Sequence, residues 1–145
     1  MSEEPRIFEQ RIRWVGDRKG QITASGMPTI ISGGLNQTGD ERHHTPEDLL
    51  VAAVGSCFMN SFLTFLEKMR LEVVSFEATC TGTLEKVDRS YEVTKVHIRA
   101  RVVINDEEIR PRIERALELG AKYCFVANSL KATVSHENEI VVEAE

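Results

Sequence analysis

The chain has 145 residues, of which 41% are hydrophobic and 28% are charged, and its formal net charge is −5. This length suits one domain that folds around one core, so we expect a single domain over residues 1–145. The acidic balance and the lack of a basic cluster argue against nucleic-acid binding and against binding to a membrane surface.

The cysteines indicate the compartment. There are three of them, an odd number, and they are widely spaced along the chain. This pattern argues against a disulfide framework and fits a reducing environment. The first six residues are acidic and polar and no apolar run follows them, unlike a secretory signal. We therefore expect a cytoplasmic protein.

The N-terminal third predicts three short strands. Residues 7–15 alternate between apolar and polar side chains, which is typical of a strand. A glycine-bounded turn at 16–20 leads into a second strand at 21–24, so the two form a hairpin. A third strand is predicted at 29–32. Residues 33–44 are rich in glycine and polar residues and are predicted to form a loop.

The stretch from Thr45 to Arg70 predicts a long central helix. Thr45 suits the N-cap, Pro46 the first helical position, and Asp48 a capping box. The run from Leu49 to Leu66 has no charged side chain and is apolar on nearly all sides, which predicts a helix that is buried nearly all round. The same run is just long enough to span a membrane. Its internal serine, asparagine and threonine residues, and the strands that need a partner, favour the buried helix.

The rest of the chain alternates between strands and a second helix. Strands are predicted at 73–84 and 91–104, joined by a polar turn at 85–90, and these strands should pair antiparallel. Asn105 and Asp106 then cap a second helix.

This second helix starts or bends near Pro111 and has an apolar stripe that ends at Cys124. Residues 129–131 end a short extra turn. Two apolar runs, 133–135 and 140–143, form a final hairpin or one bent strand. The sum is an α+β fold with an antiparallel sheet packed on the two helices.

The cysteines are the main candidates for chemistry. Cys57, in the middle of the central helix, is either a small core residue or a nucleophilic or redox-active thiol. The second role requires a nearby cation to hold the thiolate, and that cation must come from elsewhere in the chain. Cys124 is open to both interpretations, and Cys80 fits a structural role best. No pair forms a Cys-x-x-Cys motif.

Other sites receive little support. His43 and His44 are neighbours in a polar loop whose nearest carboxylates are Asp40 and Glu41, and His97 and His136 are isolated in strands. This spacing does not suggest a metal site. The sequence has no phosphate-binding glycine loop and no Gly-x-Ser-x-Gly motif, so we expect neither a cofactor nor a metal.

Three segments resemble the OsmC/Ohr family of osmotically inducible and organic-hydroperoxide-resistance proteins. The stretch Thr-Pro-Glu-Asp-Leu-Leu-Val-Ala-Ala-Val-Gly-Ser-Cys-Phe, beginning at Thr45, is similar to the family's central-helix signature. The turn around Arg18 resembles the family's arginine turn, and residues 116–130 resemble its second-cysteine region. The resemblance covers essentially the whole chain in the same order.

The resemblance implies an OsmC-like fold and an intertwined homodimer with active sites at the interface. By position, Cys57 would be the peroxidatic cysteine and Cys124 the resolving one. Arg18 would stabilise the thiolate and Glu47 would orient Arg18, although a solvated turn and a helix-dipole charge are their plainer interpretations. The substrate would be a small organic hydroperoxide, and a lipoyl-like dithiol would reduce the oxidised enzyme.

Two matters stay open at this point. Phe58, Met59 and Phe62 are candidates for an apolar substrate pocket, or else they are simply core. Family members with peroxidase activity usually have proline after the second cysteine, whereas Cys124 is followed by Phe125, which resembles a less-studied OsmC-like branch. The alternative function is therefore that of a dimer that binds an apolar or thiol-reactive small molecule without turnover. A third hypothesis is a structural dimer with inert thiols.

Overall fold

A computed structural model describes residues 4–39 and 41–143 of the chain. The chain divides into two compact units, one before and one after the boundary between Leu49 and Leu50. The predicted α+β class is confirmed; that residues 1–145 form a single domain stays a prediction. In chain order the elements are β1 Arg11–Trp14, β2 Gly20–Thr23, β3 Ile30–Ser32, α1 Pro46–Lys68, β4 Ser75–Val87, β5 Ser90–Ile104, α2 Arg110–Lys122 and β6 Thr133–Val142, with short 3-10 helices at Glu107–Ile109 and Ala127–Ser129.

The first unit carries a three-stranded antiparallel sheet in the order β1-β2-β3. The predicted hairpin turn is present, because the Val15 N–H donates to the Lys19 carbonyl over 3.0 Å and Gly16 adopts a φ of 116° that favours glycine. The first strand is shorter than predicted and begins only at Arg11. The physical reason is that β2 offers just four partners, from Gly20 to Thr23, so the alternating residues before Arg11 have nothing in this sheet to pair with.

The central helix begins where the sequence predicts. The Asp48 N–H donates to Thr45 Oγ1 over 3.0 Å, and the Thr45 N–H donates to Asp48 Oδ2 over 2.9 Å, so the two residues form a reciprocal capping box. The helix ends at Lys68, and Arg70 follows in the left-handed region with a φ of 57°.

Burial of this helix differs from the prediction. Within the chain only one face is buried, formed by Val54, Gly55, Phe58, Phe62 and Leu66. The apolar side chains on the other faces of α1 remain half-buried or exposed, because one sheet and one other helix cover only one side of it. By length and composition alone, α1 is long and apolar enough to cross a membrane. The core helices of soluble proteins meet the same two criteria.

The second unit contains a three-stranded sheet in the order β4-β5-β6. Strands β4 and β5 form the predicted antiparallel pair, but the turn is tighter than predicted, since Val87 pairs with Ser90 and residues 85–87 belong to β4. The last two apolar runs form one strand, β6, rather than a hairpin. This strand runs parallel to β5, from Lys95 opposite Thr133 to Ile104 opposite Val142, so the sheet is mixed rather than wholly antiparallel.

The core of the second unit lies between α1, the inner face of this sheet and α2. Glycines allow the close approach: a side chain at Gly55 would overlap Cys80 Sγ at 2.5 Å, and one at Gly120 would lie 3.1 Å from the Phe62 backbone. Asp106 accepts from the Glu108 N–H over 2.9 Å, and Pro111 lies in the first turn of α2, as the sequence predicts.

Candidate thiol site

Cys57 lies in the middle of α1 and is half-buried against the core. Its sulfur accepts a hydrogen bond from the Val126 N–H over 3.5 Å. Val126 belongs to the turn between α2 and β6, 69 residues further along the chain. The helix therefore supplies the thiol, and a distant turn supplies a polar contact to it.

Cys124 belongs to the same turn and is 1% exposed. Its Sγ lies 3.9 Å from the Val54 carbonyl oxygen, to which the thiol donates, and the Asn128 N–H donates to the Cys124 carbonyl over 3.0 Å. Burial raises the pKa of the Cys124 thiol to about 11, and the neighbouring Cys57 acts in the same direction. Hydrogen bonds from the backbone of Ala127 and Val126 oppose this shift. Cys124 is thus a protonated thiol at neutral pH.

The fold therefore places Cys57 and Cys124 in one site within the second unit. The Cys57 sulfur contacts the turn that carries Cys124, and the Cys124 sulfur contacts the Val54 carbonyl in the helix that carries Cys57. They remain free thiols in this structure. Two thiols so placed can act as a nucleophile and a resolving group.

Cys80 is a third free thiol, with a structural environment. It lies in β4, where its Sγ packs against Gly55 of α1. Burial raises the pKa of the Cys80 thiol, which disfavours its thiolate. Its packing agrees with the structural role favoured by the sequence.

Arg18 and Glu47 belong to the first unit. Both line an open cavity of about 840 Å³, whose wall also includes the loop after β3. The stem of Arg18 lies against Gly34, because a side chain at Gly34 would come within 2.8 Å of Arg18 Cβ. Within the described part of the chain, Arg18 and Glu47 form no ion pair with each other.

The loop after β3 is held by a contact that no sequence pattern indicated. The Gln37 side chain accepts from the His43 N–H over 2.9 Å and donates to the His43 carbonyl over 2.8 Å. The Gly33 N–H donates to the His44 carbonyl over 2.9 Å, and a side chain at Gly33 would overlap Gln37. The consecutive glycines 33 and 34 were the only hint of this packing in the sequence.

The three candidate pocket residues differ in burial. Phe58 and Phe62 are fully buried, and both rings contact the Phe76 ring, with centroids 6.1 Å and 5.5 Å apart. Met59 is half-buried. These contacts favour core packing for Phe58 and Phe62.

The histidines differ in their surroundings, and within the described residues the buried Nδ1 of His136 has no hydrogen-bond partner. Among residues 4–39 and 41–143, no three His, Cys, Asp or Glu side chains are grouped so that they could hold a metal ion. His97 Nδ1 lies 2.7 Å from Ser135 Oγ, and the His136 ring packs on Phe58 with centroids 4.6 Å apart. Asp40, one of the loop carboxylates considered above, lies outside the described residues.

Comparisons with known proteins agree on one family. The family model described as OsmC-like protein matches residues 39–139. Protein YhfA of Escherichia coli K12 is 28% identical over 141 residues, which cover 92% of this chain and 98% of YhfA. Peroxiredoxin OsmC of the same strain is 24% identical over 135 residues, which cover 88% of this chain and 92% of that protein.

A solved structure gives the same result for the fold. An OsmC-like protein of unknown function from Vibrio cholerae aligns with a TM-score of 0.78 and 25% identity, over 91% of this chain and 99% of that one.

Proposed function

The chain belongs to the family of OsmC-like proteins, and from that premise we propose that it is a thiol-dependent peroxidase that reduces organic hydroperoxides to alcohols. In this proposal Cys57 is the peroxidatic cysteine and Cys124 is the resolving one. The observation that carries the proposal is that Cys57 Sγ accepts from the Val126 N–H, two residues after Cys124, while Cys124 Sγ lies 3.9 Å from the carbonyl oxygen of Val54, three residues before Cys57. A purely structural role does not require two free thiols, far apart in sequence, to meet at one place.

The first step is nucleophilic attack. The Cys57 thiolate attacks the distal oxygen of the peroxide, the O–O bond breaks, and the alkoxide leaves and takes up a proton to become the alcohol. Sulfur is oxidised to the sulfenic acid, and the peroxide is reduced. Apolar surface beside the thiols suits an organic substrate, since Phe125, next to Cys124, is 62% exposed.

The second step joins the two cysteines. The Cys124 sulfur attacks the Cys57 sulfenic acid, a sulfur–sulfur bond forms, and water leaves. A small dithiol of the lipoyl type then reduces the disulfide by exchange and is itself oxidised to a cyclic disulfide. The reductant is proposed from the resemblance, as is a cytoplasmic location.

Arg18 and Glu47 complete the proposed machinery. A guanidinium against a thiolate favours the charged form of sulfur, and a carboxylate can orient the guanidinium through a two-pronged ion pair. Their common position on one cavity of the first unit supports a joint role.

We further propose that the active molecule is a homodimer. The apolar residues of α1 outside its buried face are half-buried or, like Leu63, exposed in the single chain, and Trp14 of β1 is 76% exposed. Exposed apolar surface of this kind is typical of an interface. A second copy of the chain would cover it without a membrane or another partner.

The experiment that tests the function is peroxide consumption with a dithiol. We expect the wild-type protein to consume cumene hydroperoxide in the presence of dihydrolipoamide and Cys57→Ser to lose nearly all of this activity. Cys124→Ser should form the sulfenic acid but turn over much more slowly, because only the external dithiol is then available to react with it. Cys80→Ser is the matched control and should retain activity.

Failure would have a clear form. If the folded and fully reduced wild-type protein consumes no organic hydroperoxide, the peroxidase proposal is wrong. Binding of a small apolar or thiol-reactive molecule that survives Cys57→Ala would then support the alternative, a binding protein without turnover.

A further inference from the structure

The turn that carries Cys124 also directs a backbone N–H group at Cys57. The Val126 N–H donates to Cys57 Sγ over 3.5 Å, and within the described residues this amide makes no hydrogen bond to another backbone group. Both groups belong to the second unit. This hydrogen bond is a different interaction from the one with a nearby cation, which the sequence analysis requires if Cys57 is to be a reactive thiolate.

The turn is built so that this N–H group stays in place. Its carbonyls are occupied by local donors: the Ser129 N–H donates to Val126 O over 3.0 Å, and Ser129 Oγ donates to Phe125 O over 2.8 Å. The Asn128 side chain donates to the Lys122 carbonyl over 3.0 Å and ties the turn to the end of α2. The donor therefore needs no rearrangement when charge develops on sulfur.

The next amide along the turn serves the other cysteine. Backbone hydrogen bonds from Ala127 and, to a smaller extent, Val126 favour the ionised form of Cys124. Of the two amides, the one that contacts Cys57 sulfur is that of Val126. When Cys124 is replaced by serine, the effect of the Val126 amide on Cys57 can be measured without its effect on Cys124.

We propose that the Val126 backbone N–H stabilises the Cys57 thiolate and positions its sulfur for attack. A hydrogen bond to the charged form of an acid favours that form, and a bond to an ionised acceptor is stronger than one to a neutral acceptor. The thiolate thus gains more from this contact than the thiol does. The inference rests on Cys57 being the reactive thiol of the proposed function.

Proline is the substitution that removes this donor with the least disturbance. Val126 has a φ of −67° and a ψ of −46°, and proline fixes φ near −65°. We would therefore compare Val126→Pro with Val126→Ala, which keeps the N–H and loses only the side chain. Both are made with Cys80→Ser and Cys124→Ser, so that Cys57 is the only thiol.

The readout is the pH profile of Cys57 alkylation by iodoacetamide, for variants whose folding is verified by circular dichroism. We expect the profile of Val126→Pro to lie about one pH unit higher than that of the parent, so that alkylation at pH 7 is about tenfold slower. Val126→Ala should match the parent. A folded Val126→Pro protein whose profile coincides with that of Val126→Ala would overturn the proposal.

A second measurement needs no change at Val126. In the Cys80→Ser, Cys124→Ser protein labelled with ¹⁵N, the amide proton of Val126 should move downfield as Cys57 ionises, with the same midpoint as the alkylation profile. Cys57→Ser should abolish this change in chemical shift. A Val126 amide proton whose chemical shift stays constant while Cys57 ionises would refute the inference. Neither readout uses peroxide, so an inactive peroxidase with a normal Val126 response would contradict only the proposed function.

Discussion

In the second unit the large apolar side chains are mostly inside, whereas in the first unit most of them are exposed. The contiguous hydrophobic core, from Val54 to Cys124, lies wholly within the second unit. The exposed large apolar residues of the first unit are Ile7, Phe8, Ile12, Trp14, Val15, Met27, Ile30 and Leu35. The second unit therefore has a core of its own within one chain, and the first unit presents apolar surface that one chain leaves uncovered.

The chemistry divides along the same line. The three thiols belong to the second unit, while Arg18 and Glu47 belong to the first. A rigid core holds the thiols and their backbone donor, and a small sheet with a long loop carries the proposed cation. The comparison teaches that stability resides mostly in the second unit, and that the first unit is the better candidate for a role in association.

The largest effect should come from substitution in the core. Phe62→Ala removes a fully buried ring, so we expect the free energy of unfolding to fall by about 3–5 kcal/mol, whatever the protein concentration. Trp14→Ala is the matched substitution in the first unit. It should cost much less and should instead weaken self-association, because Trp14 is 76% exposed in the single chain.

Urea unfolding at several protein concentrations and sedimentation of the native proteins would measure both effects. If Trp14→Ala costs as much as Phe62→Ala and leaves self-association unchanged, the contrast between the two units is wrong.

The features that could be predicted from the sequence are those that depend on residues close together in the chain. The start of α1 was predictable because Thr45 and Asp48 satisfy each other within one turn. The direction of β6 was not, because its partner β5 lies more than 30 residues earlier, and a parallel pair leaves no turn signal in the sequence. The partial burial of α1 within one chain was not predicted either, since an apolar pattern does not indicate whether the residues that bury a helix belong to one chain or to two.

The site shows the same limit. Residue type and family resemblance indicated Cys57 and Cys124 as candidates, because the proposed chemistry uses two thiols. The Val126 N–H could not be found in this way, since every residue except proline carries such a group and only the tertiary fold directs this one at sulfur. The packing of Gly34 on Arg18 likewise depends on where two loops meet.

The resolving step offers a pH test of the second unit by itself. Burial raises the pKa of Cys124 to about 11, so its thiolate is scarce at pH 7 and becomes tenfold more abundant with each pH unit. We expect the rate of disulfide formation from the Cys57 sulfenic acid to rise about tenfold per pH unit between pH 7 and pH 9, and to level off near pH 11.

Rapid mixing with one equivalent of peroxide, followed by acid quenching and mass spectrometry, would give this rate. Cys124→Ser should form no intramolecular disulfide at any pH. A rate for the unaltered chain that is independent of pH would show that Cys124 loses its proton more easily than its burial implies.

The smallest effect concerns backbone strain and compares one residue from each unit. Arg70 follows α1 in the left-handed region, with the Leu71 N–H donating to the Leu66 carbonyl over 2.8 Å and the Arg70 N–H donating to the Glu67 carbonyl over 3.1 Å. This is a Schellman motif, in which glycine is the favoured residue at the position of Arg70. The left-handed conformation costs a side chain such as arginine roughly 1–2 kcal/mol. Glycine regains that cost but loses part of it to the greater freedom of the unfolded chain.

We therefore expect Arg70→Gly to raise the free energy of unfolding by about 0.5–1 kcal/mol. Asn36→Gly in the first unit should change it by only a few tenths, although Asn36 also has a positive φ of 45°, because asparagine tolerates this region well. Urea titration of both variants beside the parent protein measures the difference. If Arg70→Gly gains no more than the few tenths expected for Asn36→Gly, the side chain at the end of α1 is not strained, and its left-handed turn is already as stable as a glycine would make it.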